Sequence, residues 1–237
     1  MGVTVKGDTI FLVEAGQFGA PDGRVLWSKD GIEWKVYAAG LFDPKSVAVY
    51  NDNALVVVDK NGVWLVAAKK ALPFVSTSDF PVPTNFIRDI AVGPDGRIYI
   101  PDLRSGRIFA VNPDRTVDSV FAVPKVSCVT VSSDTTIYFA TYSNPGMVFK
   151  LKDGKASIVV QDHELDKASS MVLDEKGNAL FVASRTTGKI VRIDLFVDKA
   201  QLIDTVNFPG DMTISPDGKF LVIPLTRSGA IKKIPIR

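Results

Sequence analysis

Carboxylate side chains recur at two positions around the short apolar stretches of this chain. Asp89 and Asp211 stand at the start of two such stretches, whereas Glu14, Asp59 and Asp102 stand at the ends of three others. A hard divalent cation is held by several oxygen ligands, preferably anionic ones. If the fold brings these positions together, they could therefore hold a cation or pair with basic side chains.

Basic side chains occupy neighbouring positions in the same pattern. Lys45 and Arg88 come directly before apolar stretches, and arginines recur in the turns LRSG, RTTG and TRSG as Arg104, Arg185 and Arg227. Arginine binds carboxylate and phosphate groups through a planar fork of N–H donors. These residues are candidates for an anionic ligand at a rim, although turns that simply repeat along the chain would show the same arginines.

The elements that must position these residues repeat about every 40 residues. Each repeat contains a glycine that opens a short apolar strand, as in GRVLW and GRIFAV, and the six are Gly23, Gly62, Gly106, Gly146, Gly188 and Gly229. Turn sequences such as GPDG and SPDG keep the same period. Self-similarity at this period is typical of a β-propeller.

Each repeat predicts four strands, A to D, of which B is apolar throughout because it is buried on both faces. The units cover 1–40, 41–84, 85–123, 124–164, 165–206 and 207–237. We predict an all-β, six-bladed, antiparallel propeller that forms a single domain over 1–237. The last unit leaves room for three strands only, and Lys232, Lys233 and Pro235 are residue types that protect an exposed sheet edge.

In a propeller, the start of strand A and the end of strand B meet at the upper mouth of a central channel. The sequence therefore predicts a ligand site there, formed by the residues that the two positions share: Glu14, Lys45, Asp59, Arg88, Asp89, Asp102 and Asp211. The alternative is that the carboxylates pair with Lys45 and Arg88 and close the mouth with ion pairs.

The phrases DIAVGPDGRIYIPDLRSGRI and DMTISPDGKFLVIPLTRSGAI resemble NHL-type repeats and the senescence-marker-protein/gluconolactonase/strictosidine-synthase superfamily of six-bladed propellers. The resemblance implies the fold along the whole chain. Lactonases of that superfamily bind a divalent cation through Glu, Asn and Asp just before strand A, where this chain has Met1, Lys45, Arg88, Ser127, Ser169 and Gly210. We therefore expect no metal or other cofactor, the alternative being a rearranged Ca²⁺ site of Glu14, Asp89 and Asp211.

Other chemistry has little support in the composition. The single histidine, His163, lies in the charged connection QDHELDK, and the single cysteine, Cys128, is expected to be a small buried side chain. A formal net charge of +2 does not favour nucleic acid, and no apolar run is long enough to span a membrane. The start MGVTVKGDT lacks the layout of a secretory signal, so a soluble protein is expected and its localisation is left open.

Two connections are longer than their counterparts, Ala15 to Asp22 and Ser76 to Phe86. Both should lie on the upper face, where long loops in a compact repeat tend to be contact surfaces or lids. Phe18, Phe80 and Phe86 would then contact a partner, or would instead fold down over the blades. The favoured function is a binding or interaction scaffold for a protein or small molecule, and the alternative is a metal-dependent lactonase or esterase.

Overall fold

The structure, a computed structural model, describes residues 1–84 and 86–236. Position 85, which begins the predicted third unit and falls within the predicted long loop, lies outside the described residues, as does position 237. The described residues form six antiparallel sheets, of which five have four strands and the last has three. This confirms the predicted all-β fold and its incomplete last blade.

The strands follow the chain from blade to blade. Blades 1 to 3 contain β1 (Val3–Lys6), β2 (Thr9–Glu14), β3 (Gly23–Ser28), β4 (Lys35–Leu41), β5 (Ser46–Asn51), β6 (Ala54–Asp59), β7 (Gly62–Ala67), β8 (Lys70–Ser76), β9 (Ala91–Val92), β10 (Ile98–Asp102), β11 (Arg107–Val111) and β12 (Val117–Ala122). Blades 4 to 6 contain β13 (Val126–Val131), β14 (Ile137–Thr141), β15 (Gly146–Lys152), β16 (Lys155–Asp162), β17 (Ser170–Asp174), β18 (Ala179–Ala183), β19 (Lys189–Asp194), β20 (Lys199–Thr205), β21 (Thr213–Ile214), β22 (Phe220–Leu225) and β23 (Ala230–Pro235). Two short 3₁₀ turns, Thr77–Asp79 and His163–Leu165, lie between blades.

The first strands of the blades form a closed ring. Each contacts the first strand of the next blade, and β21 contacts β1. These inner strands surround a central channel, and their first residues lie at one end of it, which we call the upper face. The ring is what brings residues from distant parts of the chain to a common axis. No helix in the described part of the chain is long and apolar enough to cross a membrane.

The second strand of each blade supplies much of the core. Every residue of β6, β10 and β18 is buried, because neighbouring blades cover both faces of these strands. In one cluster, Val56 and Val58 of blade 2 pack with Ile98 and Ile100 of blade 3. Full burial of one such side chain is worth about 1.5–3 kcal/mol, so contact between blades is a large part of what holds the ring together.

The recurring glycine starts the third strand at a point where another strand passes closely. A Cβ atom at Gly188 would collide with the carbonyl oxygen of Val206, at the end of the same blade, and φ at Gly188 is +78°. A Cβ at Gly146 would likewise meet the carbonyl oxygen of Leu165. At Gly188 both the available space and the backbone conformation favour glycine, and at Gly146 the close approach alone does so.

The open edge of blade 6 carries the residues predicted for it. β23 is the outermost strand of this sheet and has no fourth strand beside it. Lys232 reaches Asp204 of blade 5, with 3.6 Å between Nζ and Oδ2, while Lys233 and Pro235 are exposed. Charged and proline side chains at an edge disfavour pairing with another strand.

Candidate functional site

A cavity of about 270 Å³ opens at the upper end of the channel. We call it the mouth. Its walls come from the start of the first strand and the end of the second strand in several blades, as the repeat predicts. Its lining residues are Met1, Ala15, Asp43, Pro44, Lys45, Arg88, Ser169, Arg185, Pro209, Gly210, Asp211 and Thr226.

Two arginines, Arg88 and Arg185, line the mouth. No ion pair within 4.0 Å joins Arg88 or Arg185 to a carboxylate in the part of the chain that the structure describes. Lys45, in contrast, lies 2.5 Å from Asp43. Burial lowers the pKa of Arg185, and the nearby charge of Arg88 lowers it further. Both guanidinium groups nevertheless stay cationic, because an arginine side chain is not deprotonated in proteins.

Asp211 stands between the mouth and the channel, since it lines both. Its Oδ2 atom is buried and has no hydrogen-bond partner among the described residues. Burial raises the pKa of Asp211 to about 6, although the terminal amino group, the Ser46 hydroxyl, Arg88 and Arg185 act in the opposite direction. A buried carboxyl oxygen without a partner is costly, so this atom is suited to a hydrogen bond with a ligand or water.

Asp89 lies close to Asp211 and is more firmly held. Its Oδ2 accepts a hydrogen bond of 2.8 Å from the backbone N–H of Val129, and its Oδ1 accepts a longer one of 3.3 Å from the Ser46 hydroxyl. Burial raises the pKa of Asp89 well above its ordinary value, and the charge of Asp211 raises it further. Two neighbouring carboxyl groups in a buried site tend to hold one proton between them. The acidic floor of the mouth is then partly neutralised, while the two arginines keep their charge.

The structure places Asp59 and Asp102 at the last positions of β6 and β10, and neither lines the mouth. Asp59 accepts hydrogen bonds from the backbone N–H groups of Phe42, Asn61 and Gly62. Asp102 accepts hydrogen bonds from the backbone at Phe86 and Arg104. Both carboxylates therefore hold the turn after the second strand against the incoming connection. Their grouping with the mouth came from position in the repeat, which does not give the direction of a side chain.

Glu14 is also engaged elsewhere. It forms an ion pair with Arg24, which is opposite it on the neighbouring strand, in a separate surface depression. Glu14, Asp89 and Asp211 therefore do not converge, and they do not fit the rearranged Ca²⁺ site. The described residues contain no group of three or more His, Cys, Asp or Glu side chains that could hold a metal ion.

Of the three rim arginines, only Arg185 lines the mouth. Arg227 lies over the ring of Phe208, with 3.4 Å between its guanidinium carbon and the ring centroid. Arg104 is exposed, and its backbone N–H donates to Asp102. Arg185 differs from the other two in that its backbone N–H donates a hydrogen bond of 2.8 Å to the hydroxyl of Ser169, which also lines the mouth.

The three phenylalanines of the long loops have different surroundings. Phe80 is 7% exposed and packs edge-on against Phe109, with 5.1 Å between ring centroids, so it folds down over blade 3. Phe18 is 83% exposed and Phe86 is 43% exposed. Both border a second concavity of the upper face that also includes Asp43, Lys45 and Arg88 of the mouth.

A second cavity, of about 560 Å³, lies at the lower end of the channel among the turns of blades 3 to 6. Its acidic side chains serve the turns. The Asp217 carboxylate accepts a hydrogen bond of 3.1 Å from the backbone at Lys219, and Glu175 accepts one from the backbone at Ser133. We therefore place the candidate site at the upper mouth.

Sequence reasoning did not find the pairing of Asp89 with Asp211 or the orphaned oxygen of Asp211. Both residues share one position of the repeat, and this was the available signal. In blade 5 the same position is Ser170, whose hydroxyl accepts a hydrogen bond of 2.9 Å from the backbone N–H of Met212 in the next blade. Asp89 makes the equivalent bond to Val129, whereas Asp211 Oδ2 has no such partner.

No model of a protein family matches this chain, and the search of curated proteins found no match. Solved structures do match. A chain of a nidogen/laminin complex is similar with a TM-score of 0.80 and 13% identity over 96% of this chain and 89% of that one. A protein of unknown function from Bacteroides thetaiotaomicron has a TM-score of 0.76 and 14% identity over 99% of this chain and 68% of that one.

Virginiamycin B lyase from Staphylococcus aureus is also similar, with a TM-score of 0.67 and 17% identity over 100% of this chain and 84% of that one. Identities this low show the fold and nothing finer, because one fold hosts many activities. The chain is a six-bladed β-propeller.

Proposed function

We propose that this propeller is a non-catalytic binding module that holds an anionic group of its ligand in the upper mouth. The observation that carries the proposal is the convergence of Arg88 and Arg185 on one cavity, with no ion pair to a carboxylate among the residues that the structure describes. A cavity with low-dielectric walls strengthens the attraction between these cations and an anion. Asp211 supplies a carboxyl group beneath them that donates or accepts a hydrogen bond, depending on its protonation.

The arrangement favours a carboxylate or phosphate group over a cation. An approaching cation would meet the two arginines first, together with Lys45. A carboxylate could instead accept hydrogen bonds from both guanidinium groups, which are stronger than bonds between neutral groups.

The experiment is a titration of the protein with inorganic phosphate and with citrate, followed by thermal unfolding at constant ionic strength. A ligand that binds only the folded state stabilises it by RT ln(1 + [L]/Kd), about 1.4 kcal/mol when the ligand is present at ten times Kd. We expect both anions to raise Tm, and Arg185→Gln to remove most of the rise. Arg104→Gln is the matched control, because this arginine lies on the same rim and outside the mouth.

A rise in Tm that is equal in the wild type, in Arg185→Gln and in Arg104→Gln would show general salt stabilisation and would contradict the proposal. So would the absence of any rise with either anion.

A hydrolase is the second candidate, and the Asp89–Asp211 pair favours it. Neighbouring carboxyl groups whose pKa values are pushed apart serve as acid and base in several enzymes. The metal-dependent lactonase implied by the superfamily resemblance would also need a bound cation. Glu14, one of its three expected ligands, instead pairs with Arg24 in a separate depression. Metal analysis of the purified protein, with lactone hydrolysis assayed with and without Ca²⁺, tests this candidate. Turnover that Asp211→Asn abolishes would replace the binding proposal.

A further inference from the structure

A groove of about 800 Å³ adjoins the mouth on the upper face. It lies between the loop after β2 and the connection from blade 2 to blade 3. Its lining residues are Phe18, Asp43, Lys45, Lys60, Asn61, Thr77, Thr84, Phe86, Ile87 and Arg88. Asp43, Lys45 and Arg88 line both cavities, so the groove continues into the mouth.

Two exposed aromatic rings border the groove, and each has a cation beside it. Lys60 Nζ lies 5.1 Å from the ring centroid of Phe18, and the guanidinium carbon of Arg88 lies 5.1 Å from that of Phe86. The connection that carries Phe86 buries Phe80 in the core. Phe80 thus anchors this connection to the core, while Phe86 of the same connection stays partly exposed at the surface. Large apolar side chains around one concavity are typical of an interaction site.

The charge of the groove is positive. Lys45, Lys60 and Arg88 contribute three cations, and Asp43 is the only carboxylate among the lining residues, already paired with Lys45. Lys60 and Arg88 have no ion pair within the described ranges. Complementary charge guides a partner and sets its orientation, so the fitting partner is acidic.

We propose that the groove and the mouth together bind an extended acidic segment of a partner protein. One apolar side chain of that segment packs between Phe18 and Phe86, and carboxylates beside it meet Lys60 and Arg88. A further carboxylate reaches Arg185 in the mouth. This inference rests on the proposed function, because it names the partner of the same site.

A nucleic acid is the weaker fit. Its affinity depends on the number of phosphates neutralised, and the groove and the mouth together offer three cations without an ion pair among the described residues, Lys60, Arg88 and Arg185. Each aromatic ring also has one face next to its cation, which leaves less ring surface for stacking bases. An acidic peptide needs fewer charges and uses the rings as apolar walls.

The test is a selection of random twelve-residue peptides displayed on phage against the immobilised wild-type protein, followed by binding of the selected peptides in solution by fluorescence anisotropy. We expect the selected sequences to contain several Asp or Glu residues around one apolar residue. A twelve-residue single-stranded poly(U) RNA is titrated in parallel. Selection of basic or neutral sequences, or failure to select any sequence, would overturn the proposal, as would tighter binding of the RNA.

Variants locate the binding. Lys60→Glu should weaken the selected peptides at least tenfold, and Phe18→Ala at least fivefold. Phe196→Ala and Lys199→Glu are the matched controls: Phe196 is 84% exposed against 83% for Phe18, and both controls lie at the hairpin between β19 and β20. The controls should change affinity less than twofold. Equal loss in the controls, or no loss in Lys60→Glu, would place the peptides elsewhere and contradict the proposal.

Anion binding to the mouth separates the two proposals. If phosphate raises Tm in an Arg185-dependent way while no acidic peptide is selected, the groove proposal fails and the binding module stands. If neither binds, both fail.

Discussion

Asp89 of the third blade and Asp211 of the sixth lie close enough at the top of the channel for the charge of Asp211 to raise the pKa of Asp89. One of them, Asp89, is held by the backbone of the next blade, whereas Oδ2 of Asp211 has no hydrogen-bond partner in the described part of the chain. The same position of the repeat thus serves as a link between blades in one place and as the floor of a cavity in another.

This pair predicts a pH dependence of stability. The pKa of Asp211 in the folded protein is about 6, against an ordinary value of 3.8, so the folded state holds more protons than the unfolded state between these two pH values. Stability should therefore fall as pH rises from about 4 to about 6. We expect a loss on the order of 1–3 kcal/mol, measured by urea unfolding at several pH values.

Asp211→Asn should flatten that slope, because the amide does not titrate. Asp114→Asn is the control, since hydrogen bonds from Thr116 lower the pKa of this exposed carboxylate and keep its titration below the window. If Asp211→Asn leaves the slope of stability against pH as it is in the wild type, another group causes the pH dependence.

The two phenylalanines Phe18 and Phe80 should respond oppositely to truncation. Phe80→Ala should destabilise the fold by about 3–5 kcal/mol, because it opens a cavity beside Phe109. Phe18→Ala should change the free energy of unfolding by less than about 0.5 kcal/mol, because its side chain is 83% exposed. Urea unfolding of both variants checks this. Similar losses would mean that the loop after β2 packs against the blades.

Gly188→Ala should lower the free energy of unfolding more than Gly154→Ala does. Both glycines have positive φ, +78° and +74°, but a Cβ at Gly154 meets no atom within 4 Å, whereas at Gly188 it collides with the Val206 carbonyl. Gly154→Ala should cost about 1 kcal/mol for the backbone conformation alone. Gly188→Ala should cost clearly more, because the end of the blade must move. Equal melting temperatures for the two variants would show that this strand end yields easily.

Removal of the Asp59 carboxylate should destabilise the protein without affecting anion binding. Asp59→Ala leaves the N–H groups of Phe42, Asn61 and Gly62 without their acceptor, at a cost of about 1–3 kcal/mol for each group that stays buried. Anion titration of the variant below its melting temperature should give the wild-type Kd, because Asp59 does not line the mouth. A higher Kd in the variant would show that Asp59 contributes to anion binding and would contradict this prediction.

The blades were predictable because their signals are local. A glycine every 40 residues or so, a turn sequence such as GPDG and a strand that is apolar on both faces each depend on a few neighbouring residues. The short last unit likewise predicted a three-stranded blade, which the structure confirms. The upper mouth followed from the repeat because equivalent positions must meet around a common axis.

The roles of individual side chains were decided by the tertiary structure. Asp59, Asp102 and Asp211 all carry the same carboxylate at repeat positions near the mouth. Only the packed blades determine that the first two accept hydrogen bonds from turn backbone, whereas the third lines the cavity that also contains Arg88 and Arg185. The partner of a carboxylate depends on which N–H groups and cations the other blades bring within about 3 Å, and those contacts lie far away along the chain. Sequence therefore determined the propeller and its common axis, whereas tertiary packing decided which charges around that axis remain available to a ligand.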